Sequence, residues 1–255
     1  MTSRTGNPAL DAWESDAAWL ARLERDARRA DANQTPTQRR ITAALVARAN
    51  DVGAEAFALT GSTARSARTA ISDLDFHVIG PRPSRTGLAD EIDIVATDAA
   101  RFRERLRAGD DYVQWTLRFG CVLFDRTGIF RDGLKILSTE RLWPDTSRKH
   151  ARLPSHRRHA ERLIDLGDRD AAQEQVRAAL TAAARAILLD ADVFPLSRTE
   201  LPGQLHAIGR ARLAFALRAT IDDVLSLPDL EAQIEALDDT ERATIEVARS
   251  LPSRA

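Results

Sequence analysis

The chain has 255 residues, a formal net charge of −1, 44% hydrophobic and 29% charged residues, enough for one or two domains with real cores. So even a balance gives no global electrostatic case for a nucleic-acid or membrane surface. A single cysteine excludes a disulfide within the chain and fits a reducing cytoplasm. Met1 to Asp11 is polar and does not read as a secretory signal, and no run approaches the ~18 apolar residues of a membrane span, so a soluble protein is expected.

In chain order, Leu10, Trp13, Ala17, Leu20 and Leu23 recur at helical steps and predict a helix from Ala9 to about Ala32. Residues 33–36 break it, and Thr35-Pro36 starts a second helix, Thr37 to Asn50, with Ile41, Ala44, Leu45 and Ala49 on one face. A strand follows near Ala54–Thr60, then Gly61-Ser62 and a helix-like run. A second strand, about Leu74 to Gly80, opens with Asp73 and Asp75. Residues 81–87 read as a loop and Glu91 to Ala96 as the third strand. Thr97 or Asp98 caps a helix through Leu106, and Asp110 caps another from Tyr112 to Phe119. Gly120 leads into the strand Cys121–Phe124, where Cys121 reads as a small buried hydrophobe.

Beyond residues 143–145 no alternating run appears. Arg157–Leu166, Ala171–Leu189 and Glu200–Ala219 read as helices, and two short ones follow near Leu230–Leu237 and Glu241–Ser250. Asp170 and Gln173 resemble a capping box for the central helix, whose Val176, Leu180, Ala183, Ala184 and Ile187 share a face. Alanine-rich faces suit an antiparallel bundle. The expected fold class is α+β: a small mixed-sheet domain with N-terminal helices over 1–145, then an all-α helical bundle over 146–255.

The chemistry concentrates in the first part. On a strand, Asp73 and Asp75 share one face while Leu74, Phe76 and Val78 take the other. Two such carboxylates repel unless a cation lies between them, and Mg²⁺ takes oxygen ligands together with substrate phosphates. Gly61 permits a tight turn and close backbone approach, and Ser62 offers a hydroxyl and an N–H. A helix begun at Ser62 would favour a phosphate at its N-terminus. Glu91 and Asp93 share a face of the next strand, and either could ligate metal and accept a proton. The basic segment 141–162 reads as a solvated face. Within it Lys149, one of two lysines in the chain, is the candidate to reach a triphosphate. His156 and His159 have no partner at metal-ligand spacing, so zinc is not expected. The four tryptophans are too scattered for a base-stacking platform and read as core or cleft packing; Trp115 and Tyr112 follow the third strand, where they could line an acceptor pocket, but core burial is the role favoured for both.

Gly61, Ser62, Ala64, Arg65, Ser72, Asp73 and Asp75 fall in register on Gly-Ser-x-Ala-Arg, a spacer, then Ser-Asp-x-Asp. That pattern resembles the signature of the nucleotidyltransferase superfamily, and the resemblance covers about residues 37–126. Ile92-Asp93-Ile94-Val95 fits the family's third-carboxylate run, which favours Asp93 over Glu91. A small transferase domain followed by a helical bundle is similar to antibiotic adenylyltransferases. The resemblance implies two-metal, Mg²⁺-dependent transfer of AMP from ATP to a hydroxyl of a small-molecule acceptor such as an antibiotic, with release of pyrophosphate. Asp73, Asp75 and Asp93 would be the catalytic metal ligands, with Asp93 also the base. Gly61, Ser62, Arg65 and Lys149 would hold the nucleotide, and the acceptor would bind in a cleft between the two domains. The alternatives are a protein or tRNA acceptor, as in toxin–antitoxin enzymes, and a non-catalytic nucleotide-binding regulator.

Overall fold

The computed structural model describes residues 11–67, 73–88 and 92–237. The chain divides into two compact units, Met1–Pro144 and Asp145–Ala255, and the fold is α+β with a four-stranded mixed sheet.

Two helices open the described chain. α1 (Asp16–Asn33) starts where the Ser15 hydroxyl accepts from the Ala18 N–H at 3.1 Å. α2 (Pro36–Asp51) starts at a full capping box, Thr35 and Gln38 each accepting from the other's backbone N–H, and Pro36 lies at a position with no intrahelical N–H bond to lose. Its buried residues are Thr42, Leu45 and Ala49, while Ile41 and Ala44 are only half-buried.

The sheet follows from β1 (Ala56–Thr60), β2 (Leu74–Ile79), β3 (Ile92–Thr97) and β4 (Cys121–Asp125), in the order β3-β2-β1-β4. β1 is antiparallel to both β2 and β4, whereas β2 and β3 run parallel. A one-turn helix, α3 (Gly61–Ala64), leaves β1 without a linker. α4 (Ala99–Arg107) and α5 (Asp111–Phe119) are capped by the carboxylates of Asp98 and Asp110. Alternation then sorts the strands into two cores. Ala56, Ala58 and Ile79 pack with Phe102, Leu106, Val113, Leu117 and Phe130 on one face. Phe57, Leu59, Phe76, Val78 and Ile94 pack with Leu45, Ala49 and the fully buried Cys121 on the other.

A further helix, α6 (Ile129–Thr139), is not predicted above. Gly128, at φ 73°, offers no capping side chain; the Asp125 carboxylate, three residues upstream, accepts from the N–H groups of Phe130 and Arg131, each at 3.1 Å.

α1 is latched to the first unit by a buried ionic cluster. Arg22 donates to the Leu117 carbonyl at 2.8 Å and to Asp26 at 3.3 Å. Arg29 donates to Asp26 and to the carbonyls of Phe119 and Gly120. Asp26 also accepts from the Val122 N–H at 3.0 Å. The carbonyls that α5 leaves free at its end, and the N–H of the second residue of β4, are thus satisfied by α1 side chains. Burial pulls the Arg22 guanidinium below its usual range, and Asp26 opposes that shift.

The second unit is helical: α7 (Ser147–Asp165), α8 (Arg169–Asp190), α9 (Leu201–Ala207), α10 (Ala211–Asp222) and a helical stretch over 227–237. Leu153, Ala160 and Ile164 join Val176, Leu180, Ala183, Leu205 and Leu217 in its core. Three expectations are corrected. α7 begins ten residues earlier than predicted and continues through Pro154; the burial of Leu153 on one side and Ala160 on the other outweighs the lost backbone bond. α8 is capped by Asp168, which accepts from the Ala171 N–H, and Asp170 instead pairs with Arg169. Gln173 spends both ends of its amide on the backbone of Asp223 and Leu225. The predicted helix Glu200–Ala219 is two helices, broken where Gly209 takes a φ of 76°. Glu241–Ser250 lies outside the described residues. Among the described residues no helix is long and apolar enough to cross a membrane.

Candidate active site

β1, an interior strand, ends at Thr60, and Gly61 turns the chain at φ 67°. A Cβ at Gly61 would fall 1.8 Å from an Asp75 carboxylate oxygen, so the turn and the carboxylate share a space that only glycine leaves open. Asp75 stands opposite Thr60 on one side and opposite Asp93 on the other. Register partners on adjacent strands, about 4.8 Å apart, show their side chains on one face, here the face that α4, α5 and α6 cover further along. Asp75 is half-buried and Asp93 exposed.

Asp73 lies just ahead of β2 and is exposed; its carbonyl accepts from the Thr63 hydroxyl at 3.5 Å, tying the end of α3 to the start of the strand. The Asp75 carboxyl is pushed up to about 6, by burial first and then by the charges of Asp73 and Asp93. The three carboxylates therefore act on one another electrostatically. They do not, however, close into a metal centre: among the described residues no group of three His, Cys, Asp or Glu side chains is arranged to hold an ion. Asp73, ahead of β2, has no register partner on a neighbouring strand. What remains is an open, all-oxygen pair, Asp75 and Asp93. That donor set fits a hard cation whose other ligands come from water and phosphate.

The remaining predicted residues spread differently. Ser62 is half-buried, and its carbonyl accepts from the Arg65 and Ala67 N–H groups. α3 stops after one turn because Ser66 enters the left-handed region at φ 61°, held there as its hydroxyl donates to Asn33 at 2.5 Å. The helix begun at this turn is thus a single turn, with correspondingly little macrodipole. The Arg65 guanidinium lies 4.8 Å from the centre of the Phe119 ring, stacked on α5. Lys149 lies on α7 in the second unit. Ser72 and Glu91 fall outside the described residues.

Three residues join the site that the motif did not single out for it. Thr60 is 1% exposed. His77, two residues past Asp75 on the same face, is fully buried between the hydroxyls of Thr116 and Thr97. Burial, aided by Arg105, pushes it down to about 3, so it is a neutral imidazole. Tyr112, in the first turn of α5, lies with its ring 5.1 Å from His77. Its phenol is pushed up to about 12, chiefly by burial; a hydrogen bond with the Thr60 side chain opposes the shift, and the charges of Asp75 and Asp93 add to it. Positions two past a motif aspartate and one before a motif glycine are the available signals for His77 and Thr60.

No family model matches the chain, and no curated protein matches it. Among solved structures it is similar to a nucleotidyltransferase-like protein from Exiguobacterium sibiricum 255-15, at 16% identity and a TM-score of 0.43, over 75% of this chain and 70% of that one. A likeness of that size does not fix a function, so the functional reading rests on the geometry of Gly61, Asp75 and Asp93.

Proposed function

We propose that the protein is a Mg²⁺-dependent nucleotidyltransferase that moves AMP from ATP to a hydroxyl of a small-molecule acceptor such as an antibiotic. The observation that carries this reading is the packing of the Gly61 turn against Asp75, with Asp93 beside it in register. The acceptor oxygen attacks the α-phosphorus, the bond to the bridging oxygen of the β-phosphate breaks, and pyrophosphate leaves. Asp93, the more exposed of the pair, accepts the hydroxyl proton. Asp75 and Asp93, with Asp73 drawn in, would hold the metal, which supplies charge neutralisation for the triphosphate. The Gly61-Ser62 turn leaves backbone room for the phosphate chain.

The test is incubation with ATP, Mg²⁺ and a pool of hydroxyl acceptors that includes aminoglycosides, followed by mass spectrometry for a gain of one AMP. Asp75→Asn and Asp93→Asn are each expected to lower transfer roughly a thousandfold, the scale of removing one charge-stabilising group. Near-normal turnover by both variants would overturn the assignment. The open geometry of the carboxylates favours one rival, a nucleotide-binding module without turnover. Asp75-dependent ATP binding with no AMP gain on any small molecule, RNA or protein would establish it.

A further inference from the structure

β3 is an edge strand of the sheet, so half of its backbone groups face away from β2. Two of its carbonyls, those of Ile92 and Ile94, bracket Asp93, and each receives a guanidinium from the loop that follows β2. Arg85 donates to the Ile92 carbonyl at 2.7 Å, and Arg82 donates to the Ile94 carbonyl. The loop is fixed from another side by α2, where Arg48 donates to the carbonyls of Ser84 and Thr86 at 2.9 and 3.0 Å. Pro83, between the two arginines in sequence, is buried, while Arg82 and Arg85 themselves are exposed.

Blunting an edge strand accounts for the hydrogen bonds but not for the charge. Water satisfies an outward carbonyl without bringing a cation with it. Here two cations stand on carbonyls two residues apart, about 6–7 Å along the strand, and they repel each other. Neither is paired with a carboxylate among the described residues. The Asp93 side chain does not serve, because it stands in register with Asp75 on the face of the sheet and not at its edge. Each guanidinium has five N–H donors and spends one on the strand, so most of its fork is left for an anion arriving from solvent. Two carboxylates flanked by two such cations suit a metal–polyphosphate complex. The carboxylates take the metal, and the guanidiniums take phosphate oxygens that the metal leaves.

We propose that Arg82 and Arg85 are substrate-binding residues that bind phosphate oxygens of the nucleoside triphosphate at Asp75 and Asp93. This deepens the nucleotidyltransferase reading and rests on it. The loop holds both cations at β3 in advance, so ordering them is not a cost of binding. The charges also give the two ligands opposite responses. Cations beside the carboxylates oppose a bare metal ion and favour a polyphosphate, so removing them moves the two affinities apart.

The experiment is calorimetric titration of the full chain with Mg–ATP and, separately, with Mn²⁺ alone, for wild type, Arg82→Gln/Arg85→Gln and Asp75→Asn. Glutamine keeps an amide N–H and drops the charge at exposed positions, so the melting temperature is expected to stay near that of wild type. The double variant is expected to weaken Mg–ATP binding at least roughly tenfold, the scale of hydrogen bonds to charged groups, and to bind Mn²⁺ equally or more tightly. Asp75→Asn is expected to lose both. A loss of Mg–ATP affinity below that scale overturns the inference and leaves the main reading standing. A parallel fall of Mn²⁺ and Mg–ATP affinity also overturns it, since the arginines would then act only by holding Asp93 in place. If wild type binds neither ligand, the nucleotidyltransferase reading fails and the inference with it. Should the double variant melt early, Arg82→Gln and Arg85→Gln are titrated singly. Weaker Mg–ATP binding with Mn²⁺ binding held supports the inference, and a parallel or absent change overturns it.

Discussion

Gly61 has two reasons to be glycine, and they add. Its φ of 67° strains any L side chain, at a cost of about 1–3 kcal/mol. A methyl group there would also meet an Asp75 oxygen at 1.8 Å. Gly61→Ala is therefore expected to lower the melting temperature and to abolish Mg–ATP binding, because relief requires turning the Asp75 carboxylate out of line with Asp93. Thermal denaturation paired with calorimetry checks both halves. Asp125 makes a different argument at this scale. It holds the start of α6, yet one of its oxygens is buried without a partner, and burial pushes its carboxyl from 3.8 up to about 6. A folded-state pKa above the unfolded one means that the folded protein binds more protons between those two values. The stability contributed by this group therefore falls as pH rises through about 4 to 6 and is at its lowest above that window. At about 1.4 kcal/mol per unit the cost approaches ~3 kcal/mol, reduced by partial exposure to solvent. Asp125→Asn keeps an acceptor oxygen for the two amides and removes the charge. It is expected to be more stable than wild type by about 1–2 kcal/mol at pH 7.5, with the advantage gone near pH 4, as read from urea melts at the two pH values.

Among the elements, α7 carries the largest disagreement between sequence and structure. Pro154 suggests a helix start, since proline lacks an N–H and its ring crowds the preceding turn. The structure instead runs the helix across it, from Ser147 to Asp165. Tertiary packing decides, because Leu153 is 3% exposed and Ala160 wholly buried, so both sides of the proline are pinned to one core. Pro154→Ala restores one backbone donor to the ladder and removes the clash. It is expected to raise stability by about 1–3 kcal/mol, measured by chemical denaturation. The same competition between local and tertiary signals explains what else was and was not legible. Strands β1, β2 and β3 were read to within two residues, because alternation and turn residues agree there. The caps at Thr35, Asp98 and Asp110 were likewise legible from their own residue types. α6 escaped notice because its capping carboxylate, Asp125, sits at the end of a strand, ahead of a glycine. The break at Gly209 was hidden inside apolar periodicity that continues on both sides of it.

At the scale of the molecule, Asp73, Asp75 and Asp93 were legible because their order and spacing are local properties of the chain. Tyr112, His77 and Thr60 were not assignable together, since only the sheet register and the docking of α5 make them neighbours. The latch on α1 belongs to the same class, because its partners lie 90 to 96 positions away in sequence. That separation has a consequence for the chain as it is made. Arg22, Asp26 and Arg29 leave the ribosome early, but the backbone groups they satisfy are synthesised only once Val122 has been added. At translation speeds of about 5–20 residues per second, α1 waits roughly 5–20 s with its buried charges and Trp19 without their final partners. The first unit thus closes late, on the arrival of β4, and through that interval its N-terminal helix waits with its charges unpaired, a segment for a chaperone to shield.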